Sequence, residues 1–199
     1  MLRIADIELV VNGTPPASGP VLLVANHTSW LDIVVLHAAR HCRFVSKSDI
    51  KSWPFVRTLA DGGGTLYLER ESRRDALRVV VQMAERLGAG DILAVFPEGT
   101  TGDGITIKPF HANLIQAAIE ACVPIQPVAL QFIDASSGAV SFAPSYVDDE
   151  TLIGSIWRTL TVRGLKAVVT FGEPQAAQGQ TRREWAHALR DEIGRLKGL

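Results

Sequence analysis

The chain has 199 residues, 47% of them apolar, with 20 basic side chains against 21 acidic ones. That length suits one globular domain spanning 1–199 with a real core, and the near-cancelled charge excludes a global field that would draw in nucleic acid. Cys42 and Cys122 are the only cysteines and stand far apart without a Cys-x-x-Cys pair, which excludes a disulfide framework or a zinc module; both are expected as buried thiols in a reducing compartment. The opening MLRIADIELVVNG lacks the apolar heart of a signal peptide, and no run reaches the roughly eighteen apolar residues of a membrane span. The sequence therefore predicts a soluble or membrane-surface protein.

In chain order, the continuous apolar run Val21–Ala25 predicts a buried strand, and Thr28 or Ser29 is placed to cap a helix running to about Arg40. Cys42–Ser46 reads as a second short strand. Trp53–Ala60 reads as a short helix with Pro54 in its first turn, and Thr65–Glu69 as a strand entered through the glycine turn 61–64. From Ser72 to Leu87, Ala76, Leu77, Val80, Met83, Ala84 and Leu87 recur at helical spacing until Gly88 and Gly90 stop the run. Ile92–Phe96 is then a strand, Ala112–Ala121 a helix, and Ile125–Phe132 a strand whose Pro127 suggests an edge or a bulge. Ala139–Phe142 reads as another strand, Thr151–Leu160 as a helix, Ala167–Phe171 as a strand and Arg182–Lys197 as a final helix. This alternation predicts an α/β fold: a central, largely parallel or mixed sheet flanked by helices, with ligands gathering beyond the carboxyl ends of the strands.

Three stretches fall at such ends. In NHTSWLD, His27 starts a helix, where the positive end of the helix dipole keeps imidazole neutral, and Asp32 lies one turn on. If that turn bends back, Asp32 holds one ring N–H of His27 and leaves the other nitrogen as a base that activates a hydroxyl. Ordinary turn and cap chemistry for Asn26, Thr28, Ser29 and Asp32 is the equal alternative. No Gly-x-Ser-x-Gly elbow occurs, so Ser29 is better read as a cap than as a nucleophile. His37 and His41 share a helical face but lack a third ligand, and are expected to be exposed rather than metal-bound.

FPEGTTGDG, Phe96 to Gly104, leaves a strand into a loop rich in glycine and hydroxyls that suits either phosphate binding by backbone N–H groups or a long turn. Glu98 would repel phosphate, so it should hold a substrate hydroxyl or organise the loop. Arg70 follows a strand, where its guanidinium could clamp a phosphate, whereas Arg73, Arg74 and Arg78 read as a solvated face.

NHTSWLD, LYLER, FPEGTTGDG and VPIQPVAL stand in the order and approximate spacing of the four motif blocks of the glycerolipid acyltransferases. The chain resembles the 1-acyl-glycerol-3-phosphate acyltransferases over roughly Ile7 to Phe132. The paired His-x4-Asp and Phe-Pro-Glu-Gly-Thr elements carry the resemblance. It implies the glycerol-3-phosphate acyltransferase-like fold, with His27 as general base, Asp32 as its orienting partner and an acyl thioester, on coenzyme A or acyl carrier protein, as donor. Arg70, Glu98, Gly99, Thr100 and Thr101 would form the acceptor's glycerol-phosphate region, and Val123-Pro124-Ile125 part of a substrate pocket. No metal or redox cofactor is implied, and backbone N–H groups near Asn26-His27 are the expected oxyanion donors.

The loop departs from the common pattern at Thr101, where many relatives have arginine, and at His111-Ala112-Asn113, where many have lysine and glycine; Lys108 is placed to compensate. FPEGTTGDG is also similar to acyltransferases of lyso-ornithine lipids. The expected product is phosphatidic acid, with lyso-ornithine lipid acylation, acyl hydrolysis and non-catalytic lipid binding as the alternatives. Relatives carry a membrane segment ahead of the first motif, so the expected location is the cytoplasmic membrane face, reached through a segment outside this chain or peripherally. Trp53, Pro54, Phe55, Val56 and Leu59, rimmed by Lys47, Lys51 and Arg57, could anchor it there, or could simply pack on the core.

Overall fold

The computed structural model describes residues 2, 6–47, 66–68, 73–146 and 151–199. In chain order its elements are β1 (Ile7–Asn12), β2 (Val21–Ala25), α1 (Leu31–Ala39), β3 (Arg43–Lys47), β4 (Leu66–Leu68), α2 (Arg73–Gly88) and β5 (Ile92–Val95). There follow α3 (Ala112–Glu120), β6 (Ile125–Asp134), α4 (Leu152–Thr161), β7 (Leu165–Phe171) and α5 (Arg182–Lys197). The predicted helix 53–60, the glycine turn 61–64, Arg70 and the proposed anchor around Trp53 to Leu59 lie outside the described residues.

The strands make one seven-stranded sheet in the order β1, β7, β6, β2, β5, β3, β4. The pairs β6/β2, β2/β5, β5/β3 and β3/β4 are parallel, as is β1/β7. β6 and β7 run antiparallel, so the sheet is mixed. Its middle reads as an apolar run because both faces are covered: every residue of β2 and β5 is buried. On one face Leu22, Val24, Leu93 and Val95 pack with Met83 and Leu87 of α2, Ile115 of α3, and Trp185 and Leu189 of α5. On the other, Leu23, Ala25 and Ala94 meet Leu31, Val35 and Leu36 of α1, with Leu152 and Ile156 of α4 beside them. Each such side chain contributes on the order of 1.5–3 kcal/mol by leaving water, and a one-residue slip of β2 would exchange its two faces.

Four expectations are corrected. The amino-terminal β1 is a strand that the sequence reading passed over; it is half-solvated and pairs with distant β7 rather than with a neighbour in sequence. Pro127 lies on an interior strand, not an edge. The pairing beside it shifts from Ile125 opposite Gln175 to Val128 opposite Phe171, which sets residues 172–174 against Gln126 and Pro127, so a bulge is present but its extra residue lies in the segment opposite Pro127. Ala139–Phe142 is not a full strand: it makes one bridge, Val140 to Ile133, after a turn in which Asp134 Oδ1 accepts the N–H groups of Ser136 and Ser137. The chain then leaves the sheet toward the loops that follow β2 and β5. Cys42 is buried as expected, but Cys122 is exposed, in a left-handed turn at φ +52° that ends α3.

Candidate active site

β2 and β5 are parallel neighbours, so the segments that follow them emerge side by side at one end of the sheet. Asn26 closes β2. Its buried amide donates to Leu130 O at 3.0 Å and accepts from Leu130 N at 2.8 Å, continuing the link to β6 with a side chain in place of a peptide. The backbone then turns, and Asp32, in the first turn of α1, reaches back across that turn. Its Oδ2 accepts from Thr28 N at 2.6 Å and Ser29 N at 2.9 Å, and lies 2.9 Å from His27 Nδ1. Thr28 Oγ1 reaches Oδ1 at 3.3 Å.

The predicted capping is met only in part. Neither Thr28 nor Ser29 is the N-cap of α1; Ser29 Oγ accepts from Leu31 N, and the acidic residue satisfies the amides ahead of the helix. Ser29 is fully buried, as a cap-like residue rather than a nucleophile would be. Because three groups converge on one carboxylate oxygen that is itself wholly buried, the Nδ1 of His27 must present its hydrogen to Asp32. Nε2 then carries the lone pair. No hydrogen bond to Nε2 occurs among the described residues, and 17% of the side chain reaches solvent. Phe96 stacks on the ring at 4.2 Å and fixes its plane.

The loop after β5 clamps the same residue from both sides. Glu98 Oε1 accepts His27 N at 2.7 Å, and Gly102 N donates to His27 O at 2.8 Å. Glu98 Oε2 takes Lys108 N at 2.8 Å, tying the two ends of the loop together. Burial raises the pKa of Glu98 above the ordinary carboxylate range, against the pull of these two amides. Of the two expectations for Glu98, organising the loop is the one this geometry bears out. Gly99 has φ +72°, and a Cβ there would lie 2.9 Å from the ring of His111, so glycine is required twice over.

Thr101 Oγ1 donates to Tyr146 O, and the Lys108 ammonium donates to Thr101 O at 2.8 Å. Thr100 is exposed at the loop's outer edge. The structure therefore brings His27, Asp32, Glu98, Gly99, Thr101 and Lys108 into one network. Several other expectations fail. The amides of His27, Thr28 and Ser29 are already taken by carboxylates, so they are not available to an oxyanion. Val123 and Ile125 are buried at the start of β6, which runs parallel to β2, and so lie at the opposite end of the sheet from His27. His37 is partly buried with Nδ1 against Cys42 O at 3.3 Å, and His41, beyond the helix, shares a hydrogen bond between its Nδ1 and His37 Nε2 at 3.2 Å, the rings meeting edge-on. Among the described residues no group of three or more His, Cys, Asp or Glu is placed to hold a metal ion.

Lys197 was not foreseen. From the last turn of α5 its nearly buried ammonium donates to Gly104 O at 2.8 Å; burial lowers its pKa while Glu98, Asp32 and Asp103 raise it. In the sequence it looks like any basic residue closing a helix, and only the packing of α5 over the loop distinguishes it.

A base with a free Nε2, oriented by a buried carboxylate at the end of a strand, is an arrangement for deprotonating a hydroxyl rather than for covalent catalysis. The acyltransferase family model matches residues 7–131. The chain is 34% identical over 186 residues to the lyso-ornithine lipid O-acyltransferase of Pseudomonas aeruginosa, covering 94% of this chain and 70% of that protein. It is 36% identical over 195 residues to the 1-acyl-sn-glycerol-3-phosphate acyltransferase of Neisseria gonorrhoeae, covering 96% and 74%. The fold is similar to that of the 1-acyl-sn-glycerophosphate acyltransferase PlsC of Thermotoga maritima, with a TM-score of 0.64 and 20% identity over 96% of this chain and 72% of that one. The chain belongs to the acyltransferase family and is an O-acyltransferase.

Proposed function

We propose that this enzyme moves a fatty acyl group from a thioester, on coenzyme A or acyl carrier protein, to the free hydroxyl of a lysolipid, with 1-acyl-glycerol-3-phosphate as acceptor and phosphatidic acid as product. The observation that carries this reading is the His27–Asp32 pair, with Nδ1 held at 2.9 Å and Nε2 open. The acceptor hydroxyl donates to Nε2, and its oxygen attacks the thioester carbonyl as the proton passes to the ring. Asp32 stabilises the imidazolium. The tetrahedral intermediate collapses by breaking the C–S bond, and the departing thiolate takes the proton back from Nε2. The transfer is direct and draws on no cofactor. A positioned base of this kind contributes on the order of 10²–10⁴ in rate, and the alignment of the two substrates supplies much of the rest.

Glu98 and Gly99 shape the acceptor region indirectly, by pinning His27 and the loop, while Thr100, Thr101, Lys108 and Arg70 supply its hydroxyls and charge. A second reading, transfer to a lyso-ornithine lipid, is favoured by one observation: Thr101 Oγ1 and the Lys108 ammonium spend themselves on backbone carbonyls of Tyr146 and Thr101 rather than standing free for a phosphate. The enzyme works at the cytoplasmic membrane face, held there peripherally or through a segment outside this chain. Supporting this, Ile153, Trp157 and Leu160 form an apolar stripe on α4 that is 80%, 71% and 51% exposed, and α4 is linked by Ser155 to Trp30 beside the catalytic turn. No helix among the described residues is long and apolar enough to cross a membrane.

The test is mass-spectrometric detection of acylated product from purified enzyme, acyl-coenzyme A and a panel of lysolipids. Phosphatidic acid from lysophosphatidic acid is the expected result. Acylated ornithine lipid alone would move the acceptor to the second reading, and free fatty acid without lipid product would contradict both.

A further inference from the structure

Away from the catalytic pair, a cleft of about 330 Å³ opens between the start of α3 and the outer side of α5. It is lined by Phe110, His111, Asn113, Arg183, His187 and Arg190, among others, and no acidic side chain faces it. Arg183, His187, Arg190 and His111 make no ion pair or side-chain hydrogen bond among the described residues. At its floor α3 begins at His111 without a side-chain cap and without an acidic residue in its first turn. Its first amides thus add partial positive charge to two guanidinium groups. Three arginines elsewhere among the described residues are neutralised: Arg43 and Arg86 share Asp91, and Arg195 pairs with Glu192. Two unpaired arginines one above the other on α5, with His187 between them, face the His111 imidazole and an uncapped helix start across an open cleft and form a receptor for a group carrying several negative charges.

We infer that this cleft holds the phosphate groups of the acyl donor, a nucleotide-linked phosphopantetheine thioester. The inference rests on the acyl-thioester reading of the catalytic pair and adds a location for the donor's distal end. Distance separates donor from acceptor. Lys197 touches the loop that carries Glu98, and Arg190 and Arg183 precede it on α5 by seven and fourteen residues, which is about 10 and 21 Å along the axis. The phosphate of a lysolipid lies only a few bonds from the hydroxyl that must meet His27 and cannot extend so far. A pantetheine arm, in contrast, places its phosphates a long chain away from its thioester. His111 lies between the two, because it lines the cleft and also packs against Gly99, next to Glu98.

The experiment compares wild type with Arg183→Gln/Arg190→Gln and with the charge-keeping Arg183→Lys/Arg190→Lys. Calorimetry measures binding of coenzyme A, dephospho-coenzyme A and inorganic phosphate, and kinetics are followed with acyl-coenzyme A and with an acyl thioester of unphosphorylated pantetheine. The glutamine variant is expected to bind coenzyme A at least tenfold more weakly and to raise the KM for acyl-coenzyme A by a similar factor, with the lysine variant in between. Its kcat, its KM for the pantetheine thioester and its KM for the lysolipid stay at wild-type values. Equal affinity of wild type and the glutamine variant for coenzyme A overturns the inference, as does a raised KM for the lysolipid instead, which would make the cleft a headgroup site. A raised KM confined to acyl carrier protein would also overturn it and make the cleft a protein-docking surface. If wild type binds coenzyme A through these arginines yet transfers no acyl group, the donor cleft stands and the proposed reaction falls; acyl transfer with arginine-independent binding has the reverse meaning.

Discussion

Asp32→Asn separates charge from shape at the centre of the site. The carboxylate is wholly buried, and its Oδ2 meets Thr28 N, Ser29 N and His27 Nδ1 within 2.9 Å, while Oδ1 meets, among the described residues, only the Thr28 hydroxyl. An asparagine whose carbonyl oxygen takes the Oδ2 position keeps all three N–H donors, and its NH₂ turns toward a hydroxyl that can accept. The turn should therefore survive, at a cost of about 1–3 kcal/mol for exchanging charged hydrogen bonds for neutral ones. Transition-state stabilisation does not survive, because the imidazolium formed on proton abstraction loses its counter-charge in a dry environment. The expected loss in kcat is on the order of 10²–10⁴, or about 3–5 kcal/mol of barrier. Steady-state acylation assays and thermal unfolding on the same preparations check this. In a His27→Ala background the same change should cost almost nothing further, since both residues serve one step. An Asp32→Asn enzyme within about threefold of wild type would refute the reasoning, because the carboxylate would then be no more than a turn stabiliser.

Other predictions probe the surroundings. Burial holds Glu98 above the ordinary carboxylate range, so folding favours its neutral form. Its contribution is complete below the unfolded pKa and is lost as pH rises through the folded one. The stability of wild type relative to Glu98→Gln, followed by Tm, should accordingly fall as pH climbs out of the acid range, and a difference that grows with pH would contradict the assignment. In native protein an alkylating agent at mildly alkaline pH should label the exposed Cys122 and spare Cys42, whose thiol is pushed up to about 12 by burial. Denaturation should make both react. Trp157→Ser should lower partitioning onto anionic phospholipid vesicles about tenfold, measured by co-sedimentation, while leaving Tm unchanged because the side chain is 71% exposed.

The sequence was most legible where periodicity and caps agreed. The final helix falls where it was expected, from about Arg182 to Lys197, and the structure shows why its ends are sharp: Thr181 and Glu184 form a complete capping box and Gly198 ends it in a left-handed turn. Val21–Ala25 was legible because a strand buried on both faces has nowhere to put a polar residue. β1 was not, since its burial alternates weakly and its partner β7 lies far along the chain, information no local window contains. At the site, the pairing of His27 with Asp32 was a geometric condition on one turn, and the structure meets it. The role of Glu98 was legible only as a paradox, an acid in a phosphate-like loop, and its resolution needed the two amides it binds. Lys197 and the Arg183/Arg190 cleft depend on how α5 lies across the loop after β5, which is tertiary information.

The central claim is that Nε2 of His27 takes the proton of the acceptor hydroxyl, and the most direct measurement is the acyl-transfer rate of His27→Ala. Its kcat, on whichever lysolipid wild type accepts, should fall by about 10²–10⁴, with circular dichroism and Tm close to wild type, because the ring packs mainly on Phe96 and the backbone of residue 27 keeps its bonds to Glu98 and Gly102. A folded His27→Ala protein that acylates at the wild-type rate would contradict the account.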